Sequence, residues 1–464
     1  MKGIQVMRAS RNGIMKQVII VLASLLFLYL MASLYFSGHF FFHTIINEVN
    51  VSLKSYKDAD KIMKEHGNNY VLKLMERGGM TEEINGLKID LQYNSENDIP
   101  RIHKLQRSLR WITAFTGKQR YHVKDLYSYD NNKLEEAIKE LDCLNSDLTP
   151  PRDVGFRYSK GSYQVIEEEY GNTLREDRLN DAVKTALSNG VTALDLNEAD
   201  CYENPRFTAA SEKTEKTLAL LNKYVSTKIT YQFGNKIELV DGNVINRWLK
   251  VDDSLNVVIN QTAVNNFIDE LAYKYDTVGK ARKFKASTGR EVEVTGGLYG
   301  WKIDREEEIK ELTINLNRGD VVTREPVYAQ KALPRENELG DTYVEINLTR
   351  QHLWFYKNGK LITQGAVVTG NPNRGNSTVV GVYMLNYKQK EADLVGANYQ
   401  VKVTYWMPFY GNIGLHDARW RYAFGGEIYK TRGTHGCVNA PFYLAKTVFE
   451  NIEEGTPFIC YKEE

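Results

Sequence analysis

From Gln17 to Phe42 the chain reads QVIIVLASLLFLYLMASLYFSGHFFF, without a formally charged residue. About 20 apolar residues, rising ~1.5 Å each, span a hydrocarbon layer roughly 30 Å thick. This run constrains the chain most, because it decides on which side of a membrane the remainder folds. A secretory signal peptide is the competing reading, but its apolar region runs only about 7–15 residues and ends at a small-residue cleavage site. No such site follows Phe36. A retained transmembrane anchor over 17–42 is therefore expected. Lys2, Arg8, Arg11 and Lys16 precede it, and no acid occurs before residue 45. Basic flanks stay in the cytoplasm. Residues 1–16 thus read as a cytoplasmic basic tail, with everything beyond about 45 outside the cell membrane.

The 464 residues allow two to four domains, each with its own core. Setting those four charges aside, 56 of the 60 basic residues face 59 acids. Such a balance offers no polyanion-binding surface and excludes nucleic acid as a partner. Cys143, Cys201, Cys437 and Cys460 are scattered, with no CxxC pair. They make no disulfide scaffold, though Cys143 and Cys201 are candidates for one extracellular bridge.

After a polar stem over 43–68 the middle of the chain repeats itself. NKLEEAIKELDCL from Asn132 and AVNNFIDELAYKY from Ala263 both read as amphipathic helices. Leu134, Ile138 and Leu141 match Val264, Ile268 and Leu271 at an offset of 130. Strand-like runs follow each, GFRYSKGSYQVI from Gly155 and ARKFKASTGREVEV from Ala281. Tyr170-Gly171 then matches Tyr299-Gly300, Val183 and Leu187 match Leu312 and Leu316, and Gly190 matches Gly319, at an offset of 129. An apolar spacing of four ending in Gly is a helix with a C-terminal stop. Two related α+β domains are expected, at 69–210 and 215–336.

Beyond KALPRENELGDT the texture changes. Val344, Ile346 and Leu348 alternate, Leu353 and Phe355 continue the alternation, and Asn358-Gly359 is a type I′ hairpin signal. GVYMLNYK and NYQVKVTYWMPF add strands, and His352 is a sheet residue. PFYLAKTVFENI reads as a helix with Pro441 at its first position, and PFICYKE as a closing strand. A mostly-β domain over 341–464 is expected, making the whole chain multidomain.

Within that domain His416, His435 and Cys437 fall in 22 positions. A thiol of pKa about 8.5 needs a nearby imidazole or positive field to act as a nucleophile at neutral pH. Gly433 and Gly436 permit a turn around His435, while His416 arrives from another segment, as a spatially recruited base would. Backbone N–H groups near Gly436 and Cys437 are candidate oxyanion donors. Two other readings stand beside this one. Cys437 can be a small buried hydrophobe, or the three residues can be His₂Cys zinc ligands.

His416-Asp417-Ala418, fifteen further residues, then Thr434-His435-Gly436-Cys437-Val438-Asn439 resembles the signature of the L,D-transpeptidase (YkuD) family. That signature is H-x-x, a gap, then [S/T]-H-G-C-hydrophobic-N. Arg350 to Gly359, Val367 to Gly370 and Met407 to Phe409 extend the resemblance across 341–464. One departure is Thr378-Val379-Val380-Gly381, where the family often has Thr-Pro-x-Gly. The two middle domains are similar to the peptidoglycan-binding domains that precede such catalytic domains in Gram-positive bacteria.

The resemblance implies a cysteine-dependent acyltransferase that needs neither metal nor cofactor. Cys437 would be the nucleophile, His416 its base, the backbone carbonyl of Asp417 the group that orients His416, and Gly436 an oxyanion amide. The Asp417 side chain itself is expected to be an exposed carboxylate, and His435 to orient substrate. Thr434, Asn439, Tyr405, Trp406, Met407 and Trp420 are the substrate-side candidates, with Asn439 also bracing the loop. Tyr405, Trp406, Trp420, Tyr422 and Phe424 lie around the site in sequence, most of them expected as core or lid packing and one or two as lining of the stem-peptide groove, and the run QKEADLVGANYQ is a candidate lid. The implied reaction is 3→3 cross-linking of peptidoglycan stem peptides with release of D-Ala. Its alternatives are L,D-carboxypeptidase action, D-amino-acid exchange, or wall binding with little catalysis. Acylation by carbapenems is also implied.

Overall fold

The computed structural model describes residues 3–94, 98–396 and 399–463. The chain divides into two compact units, Met1–Gly155 with Val165–Ser211, and Phe156–Gln164 with Glu212–Glu464.

In the first unit the apolar run forms the helix Gly3–Tyr35, which is long and apolar enough to cross a membrane. It ends before the expected limit of 42. The Ser37 hydroxyl and N–H both donate to the Leu34 carbonyl, closing the last turn. Phe36, Phe40 and Phe41 are buried in the folded unit rather than exposed along the helix. About 20 residues from Gln17 already reach Phe36, so the helix has a membrane-crossing length without residues 36–42. The expected stem is likewise part of the core. Strand Thr44–Ile46 pairs with Val49–Asn50 and Gln119–Tyr121, and helix Tyr56–Asn68 buries Ala59, Met63 and Gly67 at intervals of four. Cys143 and Cys201 are both buried as free thiols, not bridged.

A hairpin, Val71–Met75 with Thr81–Asn85, takes Ala193–Asp195 as a parallel third strand. The second unit repeats that topology, with the hairpin Lys228–Phe233 and Lys236–Val240 taking Val321–Arg324 in parallel. The matched apolar positions are buried in corresponding helices, Asn131–Lys139 with Gln261–Tyr275 and Glu176–Asn189 with Arg305–Arg318, except that Leu141 is buried just beyond the first of these. The last two end on Gly190 (φ +66°) and Gly319 (φ +75°), the left-handed stop that their sequence spacing predicts. The repeats differ between hairpin and first matched helix, where residues 86–130 of the first correspond to only 241–260 of the second.

The C-terminal part of the second unit holds strands β1 (Tyr343–Asn347), β2 (His352–Lys357), β3 (Lys360–Ala366), β4 (Gly381–Met384), β5 (Gln389–Gly396), β6 (Tyr399–Tyr410), β7 (Ile413–Asp417), β8 (Val438–Ala440) and β9 (Pro457–Tyr461). They form two sheets, ordered β3-β2-β1-β9-β4 and β5-β6-β7-β8. Asn358 (φ +50°) and Gly359 (φ +74°) make the expected hairpin turn between β2 and β3. Both sheets and helix Phe442–Asn451 close on one core, which includes Ile346, Phe355, Met407, Leu415, Val438 and Val448. Pro441 caps that helix, one position before its expected place.

The second repeat is fused to this sandwich through its hairpin Arg282–Lys285 and Glu291–Val294. Phe284, Val294 and Tyr299 pack with Val382, Ile459 and Tyr461. Ser287 donates its N–H (2.9 Å) and hydroxyl (2.5 Å) to the fully buried Glu345 of β1. Val382 exchanges backbone hydrogen bonds with Gly296 and Tyr299. A Cβ on Gly297 would lie 2.0 Å from the Val382 carbonyl oxygen, so only glycine fits there.

Candidate active site

Sheet register builds the site. Trp406 of β6 pairs with His416 of β7, which pairs with Asn439 of β8. The neighbouring row, Met407, Leu415 and Val438, faces the core. Because strand side chains alternate, Cys437 and Asn439 fall on the same outer face as His416. Tyr405 and Met407 do not. Tyr405 points inward, its ring 5.5 Å from Phe442 and 5.1 Å from Phe449, and Met407 is fully buried. These two substrate-side candidates are core residues, placed there by the alternation that puts Trp406 outside.

A cleft of about 320 Å³ lies on that face, lined by His416, Trp420, Arg421, Gly433, Thr434, His435, Cys437 and Asn439, together with Leu394 and Val401. Leu394 comes from the run expected as a lid, which is part of a paired β5–β6 hairpin, and Val401 follows that run directly on β6. Ala397 and Asn398 of that run lie outside the described residues. Trp420 is half exposed, 6.0 Å from the His416 ring, whereas Trp406 is buried, 5.8 Å from it. Tyr422 is fully exposed and does not line the cleft.

The loop before β8 is held by hydroxyls. Thr434 Oγ1 donates to the Cys437 carbonyl (2.6 Å) and accepts the Gly436 N–H (3.0 Å). Thr378 Oγ1 donates to the Gly436 carbonyl (2.6 Å) and accepts from Gly370 N–H (2.9 Å). The departure from Thr-Pro-x-Gly therefore spares the residue that grips the loop. Gly436 has φ +126°, and a Cβ would crowd Ile413 at 3.0 Å. Its N–H is spent on Thr434, so the expected pair of oxyanion amides is incomplete in this arrangement.

The sequence-family model described as the L,D-transpeptidase catalytic domain matches residues 341–460. The model described as "Putative peptidoglycan binding domain" matches twice, at 82–193 and 207–323. A structure of the Ldtfm–avibactam carbamoyl enzyme is 33% identical, covering 54% of this chain and 100% of that one, with a TM-score of 0.45. A Cys-to-Ser mutant of the Enterococcus faecium L,D-transpeptidase is 33% identical over 53% of this chain and 100% of its own, with a TM-score of 0.44. The chain belongs to the L,D-transpeptidase family. The catalytic domain of the E. faecium L,D-transpeptidase acylated by ertapenem is 39% identical, covering 26% of this chain and 98% of that one, at a TM-score of 0.25. No curated protein matches.

Within the transpeptidase domain, His416 Nδ1 donates to the Asp417 carbonyl at 2.9 Å. Arg421 Nε donates to Asn439 Oδ1 (3.1 Å), which turns Asn439 Nδ2 toward His416 Nε2, also 3.1 Å away. The network thus assigns the Nδ1–H tautomer, with Nε2 as acceptor. The Cys437 thiol donates to the Asn412 carbonyl at 3.5 Å. Burial pushes the Cys437 thiol up, while the Gly414 amide pulls it down. Burial lowers His416, the Asp417 carbonyl opposing and the Arg421 cation adding to the drop.

The Asp417 carboxylate is buried, not exposed as expected. Its Oδ1 accepts the N–H groups of Thr404 and Tyr405, both at 2.8 Å. The β5–β6 ladder passes over Glu391 (φ +50°) and Thr404, and Asp417 takes up amides that the ladder leaves free. Among the described residues no three His, Cys, Asp or Glu side chains gather to hold a metal. Arg421 and Val401, which line the cleft, and Asn412, whose carbonyl accepts from the Cys437 thiol, were not legible as site residues, because only the folded register brings them there.

Proposed function

We propose that the chain is a membrane-anchored L,D-transpeptidase that forms 3→3 peptidoglycan cross-links through an acyl-enzyme on Cys437. The observation that carries this reading is the convergence of Cys437 and His416 on one cleft, with His416 Nδ1 tied to a backbone carbonyl and Nε2 left as a base. Acylation of the E. faecium catalytic domain by ertapenem supports it by analogy.

His416 Nε2 exchanges the Asn439 amide for the thiol proton as Cys437 attacks the carbonyl of the stem's third residue. The amide of Cys437 meets the developing oxyanion, and Gly436 N–H joins by leaving Thr434. The proton returns to the departing D-Ala nitrogen. The side-chain amine of a neighbouring stem's third residue then attacks the thioester, freeing the thiol and completing the cross-link. His435, Thr434 and Trp420 line the cleft, and the donor stem is proposed to lie against them.

Helix Gly3–Tyr35 serves as the anchor, and the two middle repeats, as α+β domains the first of which takes residues 36–68 into its core, engage peptidoglycan. Domain 341–464 then acts outside the membrane against the wall. Incubation of the full chain with a tetrapeptide muropeptide is expected to give cross-linked dimers and free D-Ala. Tripeptide without dimer would overturn transfer in favour of hydrolysis.

A further inference from the structure

Residues 101–124 carry seven Lys or Arg and no acid. They lie in the stretch by which the first repeat exceeds the second. Within it, the 3₁₀ turn Ser108–Phe115 repeats every three residues. One edge faces inward. Ala114 is buried with Phe36 and Phe41, and the Trp111 ring lies 5.9 Å from Phe36 and 6.0 Å from Tyr29. The other edge faces outward, with Leu109 59%, Ile112 52% and Phe115 64% exposed, and Leu105 at 65% continues it. Lys104, Arg107, Arg110 and Lys118 are exposed around it.

Depth decides what covers this edge. Counting about 20 residues from Gln17, the hydrocarbon layer ends near Phe36. Tyr29 donates its hydroxyl to the Leu109 carbonyl, and six helical residues place Tyr29 about 9 Å below Tyr35. Amphipathic segments lying in a bilayer interface bury their apolar edge about 5–10 Å deep.

We propose that residues 105–115 form a second membrane contact. Leu105, Leu109, Ile112 and Phe115 enter the acyl-chain rim of the outer leaflet, while Lys104, Arg107, Arg110 and Lys118 meet anionic headgroups. The contact rests on reading Gly3–Tyr35 as the anchor, and it turns a single tether into a fixed footing for the first unit.

The test uses the full chain in vesicles of phosphatidylcholine and phosphatidylglycerol that contain a phospholipid with a photoreactive acyl chain, with adducts mapped by mass spectrometry. Adducts are expected in both 13–35 and 105–115. Adducts in 13–35 alone would overturn the second contact and leave the anchor, and adducts in neither would overturn the anchor as well. The triple variant L109S/I112S/F115S is expected to lose labelling at 105–115 about fivefold with 13–35 unchanged. Omitting phosphatidylglycerol is expected to lower it about threefold, and indifference to lipid charge would remove the headgroup role. Cross-links between copies through 105–115, in place of lipid adducts, would assign the edge to a second chain and overturn the proposal.

Discussion

Burial moves Cys437 and His416, the two groups proposed to react, toward their neutral forms, raising the thiol and lowering the imidazole below 6.5. On the proposed mechanism the thiolate would then be made during attack by proton transfer rather than stored as an ion pair. Acylation should run flat through neutral pH and decline only as pH falls below 6.5 and His416 takes a proton. A rate profile with its acid limb above 6.5 would contradict this. The same shift bears on stability. The unfolded imidazole protonates near 6.5 and the folded one lower, so the contribution is complete above 6.5 and lost as pH falls through the folded value. Arg421→Met removes both the clamp on Asn439 and a cation near His416. Acylation should slow about 10–100-fold, with the acid limb moved upward. An unmoved limb would reduce Arg421 to a packing residue.

At the scale of elements, the contact between the second repeat and β1 makes a separate prediction. Ser287→Ala leaves the buried Glu345 short of a hydrogen bond and should cost about 1–3 kcal/mol in denaturant titration. Gly297→Ala must shift Val382 and should cost at least as much. A midpoint unchanged in both would show that the hairpin does not hold this sheet. The strands of 341–464 were legible because alternation and the Asn358-Gly359 turn are local signals. Which alternate face meets the cleft was not, since that is fixed by pairing across β6, β7 and β8. Hence Trp406 stands beside His416 yet is buried and outside the lining of the cleft, while Tyr405 and Met407 face the core. Asp417 was misread for a related reason, because the free amides of Thr404 and Tyr405 exist only once the ladder skips a residue.

At the scale of the whole molecule, the limits of the first unit were the least legible. Short strands near Ile46 and a helix with a polar outer face look like stem in sequence, yet Phe40, Phe41, Ile46, Val51, Ala59 and Met63 are all buried. A large buried side chain is worth about 1.5–3 kcal/mol, so losing this set rivals the total stability of a domain, about 5–15 kcal/mol. A chain beginning at residue 36 should melt cooperatively in its first unit. One beginning at residue 69 should leave 70–210 open to limited proteolysis, and equal resistance would contradict the assignment of 36–68 to the core. The fold and its partners matter to function only if Cys437 carries the acyl group. Intact-mass spectrometry of the full chain after exposure to a carbapenem tests that directly. One adduct on the wild type and none on Cys437→Ala is the predicted result, and an adduct that persists in Cys437→Ala would contradict the account.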